Sequence, residues 1–320
     1  MDFNLSDVQR AWMQKAEALA KELTGESASA DVVLGAARFG VVDPRADLVA
    51  AAVAVEALGA EYAAAAIALA LHTGVLLALG PDDRFTALSR GETVGAIALS
   101  TEDLPVEDGG RLTGRASLVG PLTDHGLAIV GARHGDTLLA CAVALDSQEI
   151  SVRIVGTAAL RGFVCGHVML NGVPAIPVGA PVPFMTRVRI LLAAAGLGMG
   201  RRALRDALAA AHGYRGRGAG GEQTVQGLLA DAATELDAAT MLTWKAASAP
   251  ELSLADASMA KLAATELAKK CALEGMQSMG GYGYATEYPM EQYLRAAVVT
   301  TIFGGTSEIQ KNIIAKTLGL

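Results

Sequence analysis

Aromatic residues are scarce in this 320-residue chain, at 4%, and charged residues reach only 18%. A chain so poor in rings and so rich in alanine, with 52% hydrophobic residues, does not suit an all-β protein. It suits long helices whose small side chains let backbones approach closely. Cysteine is nearly absent. Cys141, Cys165 and Cys271 are widely spaced, odd in number and without a CxxC pair, so they read as reduced core thiols of a cytoplasmic protein. The positive surplus of a general nucleic-acid binder is missing, since the net charge is −7. No run reads as a membrane span: Tyr62–Leu79 comes nearest, but His72 interrupts it and Glu56 and Glu61 precede it. No signal peptide is expected, because MDFNLSDVQRAWMQKAEAL reads as an amphipathic helix opening at a Ser6 or Asp7 cap. His72, His125, His134, His167 and His212 show no metal-ligand spacing, and no Ser/His/Asp order stands out.

What is present falls into three textures, expected as an α+β multidomain fold. Residues 1–93 read as helices, with segments at Ala46–Leu58, Tyr62–Leu79 (closed by Gly80-Pro81) and a short one at Asp83–Arg90. Residues 94–180 turn to short runs of Val, Ile and Leu, such as Thr137–Leu145 and Ile150–Val155. Turn signals separate them at Gly109-Gly110, Asp124-His125-Gly126, His134-Gly135-Asp136 and Asn171-Gly172, which predicts a small β-barrel or sandwich. Residues 181–320 carry long helical segments, Met185–His212, Thr224–Ala247, Asp256–Met276 and Glu291–Ile302, which predict a four-helix bundle. Gly196, Gly198 and Gly200 in the first suit tight packing; no strand precedes them, so they are not a phosphate loop. Arg201, Arg202 and Arg205 are expected on a solvated helix face.

The stretch from Gln277 to Gln310, QSMGGYGYATEYPMEQYLRAAVVTTIFGGTSEIQ, organises the rest. Gly280-Gly281 and Gly304-Gly305 break helices, and Thr306-Ser307 offers hydroxyl caps, with Ser307 and Gln310 spaced like a capping box. Glycine breaks beside a helix N-terminus collect free backbone N–H groups and suit an anionic cofactor. Tyr282, Tyr284, Tyr288 and Tyr293 are candidates to stack on adenine or to pack at a subunit contact.

Gln277, Gly280, Gly281, Gly283, Tyr284, Glu287, Pro289, Arg295, Phe303, Gly305 and Thr306 together resemble the C-terminal signature of the acyl-CoA dehydrogenases. That resemblance implies FAD as hydride acceptor and a glutamate as base for the substrate's α-proton. The usual glutamate position holds Gly304, and the alternative one, before Arg189, holds Val188, so no catalytic residue is assigned. Arg189 is carried over as a substrate residue. Leu118 or Val119 stands where the resemblance places a flavin-shielding tryptophan, and Leu99-Ser100-Thr101-Glu102 matches a flavin-contacting strand end.

In the resembled family each flavin lies at a subunit interface. The neighbour's share is matched here by Arg215, Gln277, Gly280 and Gly281, with Gly218 replacing an expected Phe, and the host's share by Thr306 and Glu308. The resemblance therefore implies a degenerate subunit that completes a shared FAD site for a catalytic acyl-CoA dehydrogenase subunit in an α2β2 heterotetramer. Similar bacterial assemblies act on steroid-derived acyl-CoA thioesters. Two other readings stand beside it: an active homomeric dehydrogenase with a relocated base, and a non-redox acyl-CoA-binding scaffold. Neither nucleic acid nor a membrane is an expected partner.

Overall fold

The computed structural model describes residues 4–23, 33, 47–79, 82, 86–98, 104–213 and 223–320. Helix α1 (Asp7–Glu22) starts at Ser6 rather than Asp7. The Ser6 hydroxyl accepts from Gln9 N–H while the Gln9 side chain accepts from Ser6 N–H, a reciprocal cap that satisfies two orphan donors. Its apolar stripe of Trp12, Ala16, Leu19 and Ala20 packs on α2 (Leu48–Gly59), which Asp47 caps. Helix α3 (Ala63–Leu79) is buried along almost its whole length, and α4 (Thr86–Ser89) is a single turn.

His72 ties α3 to the sheet: its buried Nδ1 accepts a 2.9 Å hydrogen bond from Gly95 N–H. Burial lowers its pKa to about 4, and the Leu88 carbonyl opposes the shift only in part.

Eight strands form one continuous sheet: β1 (Val94–Ala98), β2 (Val106–Asp108), β3 (Arg111–Val119), β4 (Gly126–His134), β5 (Thr137–Ala144), β6 (Ile150–Val155), β7 (Cys165–Pro174) and β8 (Ile176–Gly179). The order is β6-β7-β3-β2-β4-β5-β8. β1 and β2 follow one another along the same edge of β4, parallel to it. Leu112, Val130, Val143, Val168 and Leu170 form the sheet's own core. Three of the four turn signals fall between strands. The fourth is a correction: Asn171-Gly172 lies inside β7, where Gly172, at φ +72°, is the extra residue of a bulge opposite Leu112 and Thr113.

The C-terminal helices are α5 (Pro181–Gly213), α6 (Gln223–Ala247), α7 (Leu254–Met279), α8 (Gly281–Tyr284), α9 (Met290–Thr300) and α10 (Ser307–Thr317). α5 is the spine, in contact with α2, α3, α6, α7 and α9. A Cβ at Gly198 would lie 2.2 Å from Glu56 O on α2, and one at Gly59 2.8 Å from Ala195 O on α5. On its other side α5 meets α7, where a Cβ at Gly196 would lie 3.1 Å from Ala264 O. The glycines are therefore points of backbone contact, and overpacking such a contact costs about 1–3 kcal/mol. Among the described residues α5 is also the one helix long and apolar enough to cross a membrane, and it is mostly buried inside the protein.

Of the three arginines after this glycine run, Arg205 is exposed as expected, while Arg201 and Arg202 are only half-exposed and are a second correction. Arg201 binds Glu56 (2.6 Å) and Thr240 (2.9 Å), Arg202 binds Glu61 (2.6 Å) and Asp206 (2.9 Å), and Arg205 binds Glu61 (3.0 Å). The Tyr293 hydroxyl donates to the same Asp206 (2.8 Å), with the Arg202 guanidinium over its ring. Glu56 of α2 and Glu61 of the link between α2 and α3 bring carboxylates to that face, so the arginines staple the N-terminal helices to the bundle. The cysteines are buried and unpaired as expected, and burial pushes Cys141 to about 11 and Cys271 to about 12, which keeps them as thiols.

His72 makes the fold pH-dependent. Below pH 6.5 the unfolded chain takes up a proton at this residue, while the folded chain resists until about pH 4. Its contribution is thus fully present above pH 6.5 and is lost progressively down to about pH 4. Urea midpoints should fall across that window. His72→Gln, which keeps an acceptor for Gly95 N–H, should flatten the fall by up to about 3 kcal/mol.

Candidate functional site

Residues 301–306 link α9 to α10. Gly304 and Gly305 sit at φ +72° and +98°, where a side chain is strained. Three buried side chains converge on the carbonyls of this turn. Arg189 Nε donates to Gly304 O (3.1 Å), and Lys261 Nζ donates to Thr301 O (3.1 Å) and Gly305 O (2.9 Å). Gln310 Nε2 donates to Gly304 O (3.2 Å) and Gly305 O (2.8 Å). Lys261 is fully buried; that burial, and then the Arg189 charge, lower its ammonium to about 8, with Glu266 and Glu308 opposing.

The capping expectation needs correcting. Thr306, not Ser307, caps α10, its Oγ1 accepting from Ile309 N–H (3.4 Å). Ser307 instead donates to Glu266, and Gln310 is diverted inward to the glycine carbonyls. Lys261 escaped the sequence reading because a helical lysine is ordinarily solvated. The available signal was its place among small and apolar residues, in Ser258-Met259-Ala260-Lys261-Leu262-Ala263.

Neither address for a base carries a carboxylate, and both are closely packed. A Cβ at Gly304 would lie 2.7 Å from Leu192 Cδ1. Val188 is fully buried, and a Cβ at Gly74 on α3 would lie 2.6 Å from its Cγ2. Arg189 is itself 8% exposed and keeps its charge on the Gly304 carbonyl. Glu308 lies exposed in the first turn of α10, where the backbone N–H at the helix start and then the Thr306 hydroxyl hold its carboxyl below the usual range.

Across from this turn stands the β-domain. Of the two residues matched to the ring-shielding position, Val119 is fully buried in the sheet core, while Leu118, at φ +54°, is exposed. The next residue, Gly120, leaves no room: a Cβ there would lie 2.9 Å from Phe163 Cε1. The Phe163 ring also packs on Phe303, centroids 5.8 Å apart.

Gln277, Gly280 and Gly281 form a different place, at the end of α7 and start of α8. All three are exposed. Gly280, at φ +58°, ends α7 with its N–H on Gln277 O, and a Cβ at 280 or 281 would meet nothing within 4 Å. Tyr282 and Tyr288, edge to face at 5.7 Å, and the largely exposed Tyr284 flank this ledge. The ledge and the 301–306 turn do not form one site. Lys261 and Gln277 are sixteen residues apart on α7, roughly 24 Å at the helical rise. The glycine backbone of this ledge is open to solvent. Arg215, Gly218 and Leu99-Ser100-Thr101-Glu102 lie outside the described residues. Among the described residues no group of three or more His, Cys, Asp or Glu is placed to hold a metal.

Residues 182–319 match the family model described as "Acyl-CoA dehydrogenase, C-terminal domain". An acyl-CoA dehydrogenase of Bacillus subtilis (strain 168) is 43% identical over 135 residues, 41% of this chain and 36% of that protein. The human mitochondrial short-chain specific acyl-CoA dehydrogenase is 45% identical over 96 residues, 29% of this chain and 23% of that protein. These matches span little more than a third of the curated relatives' own length, or less. The whole chain superposes on butyryl-CoA dehydrogenase from Megasphaera elsdenii with a TM-score of 0.87 at 20% identity, covering 100% of both chains. A glutaryl-CoA dehydrogenase from Mycobacterium smegmatis, solved in complex with FADH2, gives 0.85 at 17% identity, covering 98% and 95%. At such identities the likeness establishes the fold alone.

Lys261→Met should lower unfolding free energy by about 1–2 kcal/mol in a denaturant titration, because each released carbonyl keeps one other donor, Ser307 N–H or Gln310 Nε2. Hydrogen exchange at Ser307 N–H should quicken with it.

Proposed function

We propose that this chain, whose residues 182–319 belong to the acyl-CoA dehydrogenase C-terminal domain family and whose fold is that of an acyl-CoA dehydrogenase, is a non-catalytic subunit of an FAD-dependent acyl-CoA dehydrogenase. Its partner is a catalytic subunit that desaturates the α,β bond of an acyl-CoA thioester, in an α2β2 assembly. Bound FAD supplies the hydride acceptor that no side chain can provide. This chain lends the Gln277, Gly280 and Gly281 ledge, with Arg215, to a cofactor whose ring and base belong to the partner. Thr306 and Glu308 remain as the vestige of its own half. The proposed substrates are bulky, steroid-derived thioesters, and the proposed compartment is the cytoplasm.

The observation that carries this reading is at Gly304. No carboxylate stands at this position, and the backbone there, at φ +72°, strains any residue other than glycine, while a Cβ would press on the movable end of Leu192 (2.7 Å). The active homomeric reading fares poorly, because its nearest carboxylate, Glu308, is exposed and held ionised at a helix start.

Purified alone, the chain should be colourless. Co-expressed with a catalytic acyl-CoA dehydrogenase subunit, it should yield a yellow mixed tetramer with one FAD per pair. A chain that is yellow by itself and bleached by an acyl-CoA overturns the proposal. Gly304→Glu should give no turnover in the isolated chain and lose about 2 kcal/mol or more of stability, from the clash with Leu192 and the positive φ.

A further inference from the structure

Arg189 uses little of its hydrogen-bonding capacity. A guanidinium carries five N–H donors in a rigid fork and does not shed its charge in a protein. Here Nε donates to Gly304 O (3.1 Å), while Nη1 and Nη2 have no acceptor among the described residues. Burial lowers its pKa, and no described carboxylate opposes the shift. Arg189 is nevertheless only 8% exposed. Buried charges are ordinarily paired, because an uncompensated one is strongly destabilising.

Lys261 adds to the imbalance. It is fully buried on α7, and the Arg189 charge helps to push its ammonium down. Both cations aim at one turn, Arg189 at Gly304 O and Lys261 at Thr301 O and Gly305 O. Carbonyl oxygens satisfy donors but bring only partial charge. The carboxylates that reach Lys261 are Glu266 and Glu308, and each is committed elsewhere: Glu266 to Lys269 (2.6 Å) and Ser307, Glu308 to the start of α10. The turn therefore holds two full positive charges with their compensation at its solvent edge. The unused edge of the Arg189 fork is also within reach from outside. Neither Nη nitrogen is sealed inside the protein, although the residue as a whole is more than nine-tenths buried.

We propose that the outer edge of the Arg189 guanidinium, beside the Gly304-Gly305 turn, is a binding site for a carboxylate supplied from outside the chain. Two parallel N–H groups on a buried, unpaired cation match the two oxygens of a carboxylate, which makes a charge-assisted bidentate pair. The chain offers no carboxylate of its own at the adjoining backbone position, since residue 304 is glycine and a Cβ there would lie 3.9 Å from Arg189 Cγ. The ligand is either a small free acid or an acyl-CoA with a terminal carboxylate. The inference goes beyond the subunit role proposed above and stands without it.

The test uses formate, the smallest carboxylate, titrated into the full-length chain at constant ionic strength made up with sodium chloride. The carbon NMR line of labelled formate should broaden saturably, with one site per chain. Arg189→Lys keeps the charge but loses the fork and should weaken binding roughly tenfold. Arg189→Gln should abolish it, and Arg187→Gln, which removes a charge from another face of α5, should bind as wild type does. If Arg189→Gln fails to fold, as far-UV circular dichroism would show, Arg189→Lys carries the comparison. The site is overturned if formate does not broaden saturably, if Arg189→Lys binds it as well as wild type, or if Arg187→Gln abolishes binding too. Competition then identifies the source. Succinyl-CoA displacing formate at lower concentration than butyryl-CoA, of equal chain length, assigns the carboxylate to an acyl thioester; no difference between them assigns it to a free acid. None of these readings involves FAD or the partner, so the subunit role is judged separately by FAD per pair in the mixed tetramer.

Discussion

Backbone-to-backbone contact along α5 is the constraint on which the rest of the molecule depends. Gly198 against Glu56 and Gly59, and Gly196 against Ala264, bring three helices to distances that any side chain would prevent. That closeness makes α5 a shared wall between the N-terminal helices and the bundle. It also explains the composition, since a core built on touching backbones needs alanine and glycine and has little space for rings. The arginine staples from Arg201, Arg202 and Arg205 to Glu56 and Glu61 then lock the approach from the solvent side. Such partly exposed pairs are individually weak, but they share acceptors and so fix the register of one helix group on the other.

The 301–306 turn takes its shape from the same wall. Arg189 and Leu192 reach it from α5, and Lys261 reaches it from α7, the helix that α5 touches. Two buried cations satisfied mainly by carbonyl oxygens are unusual, because burial is costly for an ammonium that lacks an acidic partner. Their donors nevertheless hold a pair of glycines in a geometry that closes the end of the bundle. In this chain the turn is a packed structural joint.

Much of this was legible beforehand where the signal is periodic or local. The helices at Thr224–Ala247 and Asp256–Met276 extend by only a few residues at their ends, β6 has the anticipated bounds, and Ser6 was among the named caps. Three features were not legible, each for a physical reason. Asn171-Gly172 serves equally for a turn or a bulge, and only the partner strand β3 decides which. Arg201, Arg202 and Arg205 look solvated until α2 and the link that follows it bring Glu56 and Glu61 to them. Gln310 has the spacing of a cap residue, yet the carbonyls exposed by Gly304-Gly305 outcompete that role. For the site, the sequence revealed which side chains were missing. It did not reveal that Leu192 packs against Gly304 and Phe163 against Phe303, because both come from segments distant in the chain.

The length of α7 has an evolutionary reading. Its two ends face different surroundings, Lys261 the chain's own 301–306 turn and Gln277 the solvent. Substitutions that silence one end need not disturb the other, since some four or five helical turns of packed bundle lie between them. Selection can therefore act on the halves of such a protomer as on two separate genes. A duplicated copy can lose its chemistry entirely and still be retained for the surface it presents.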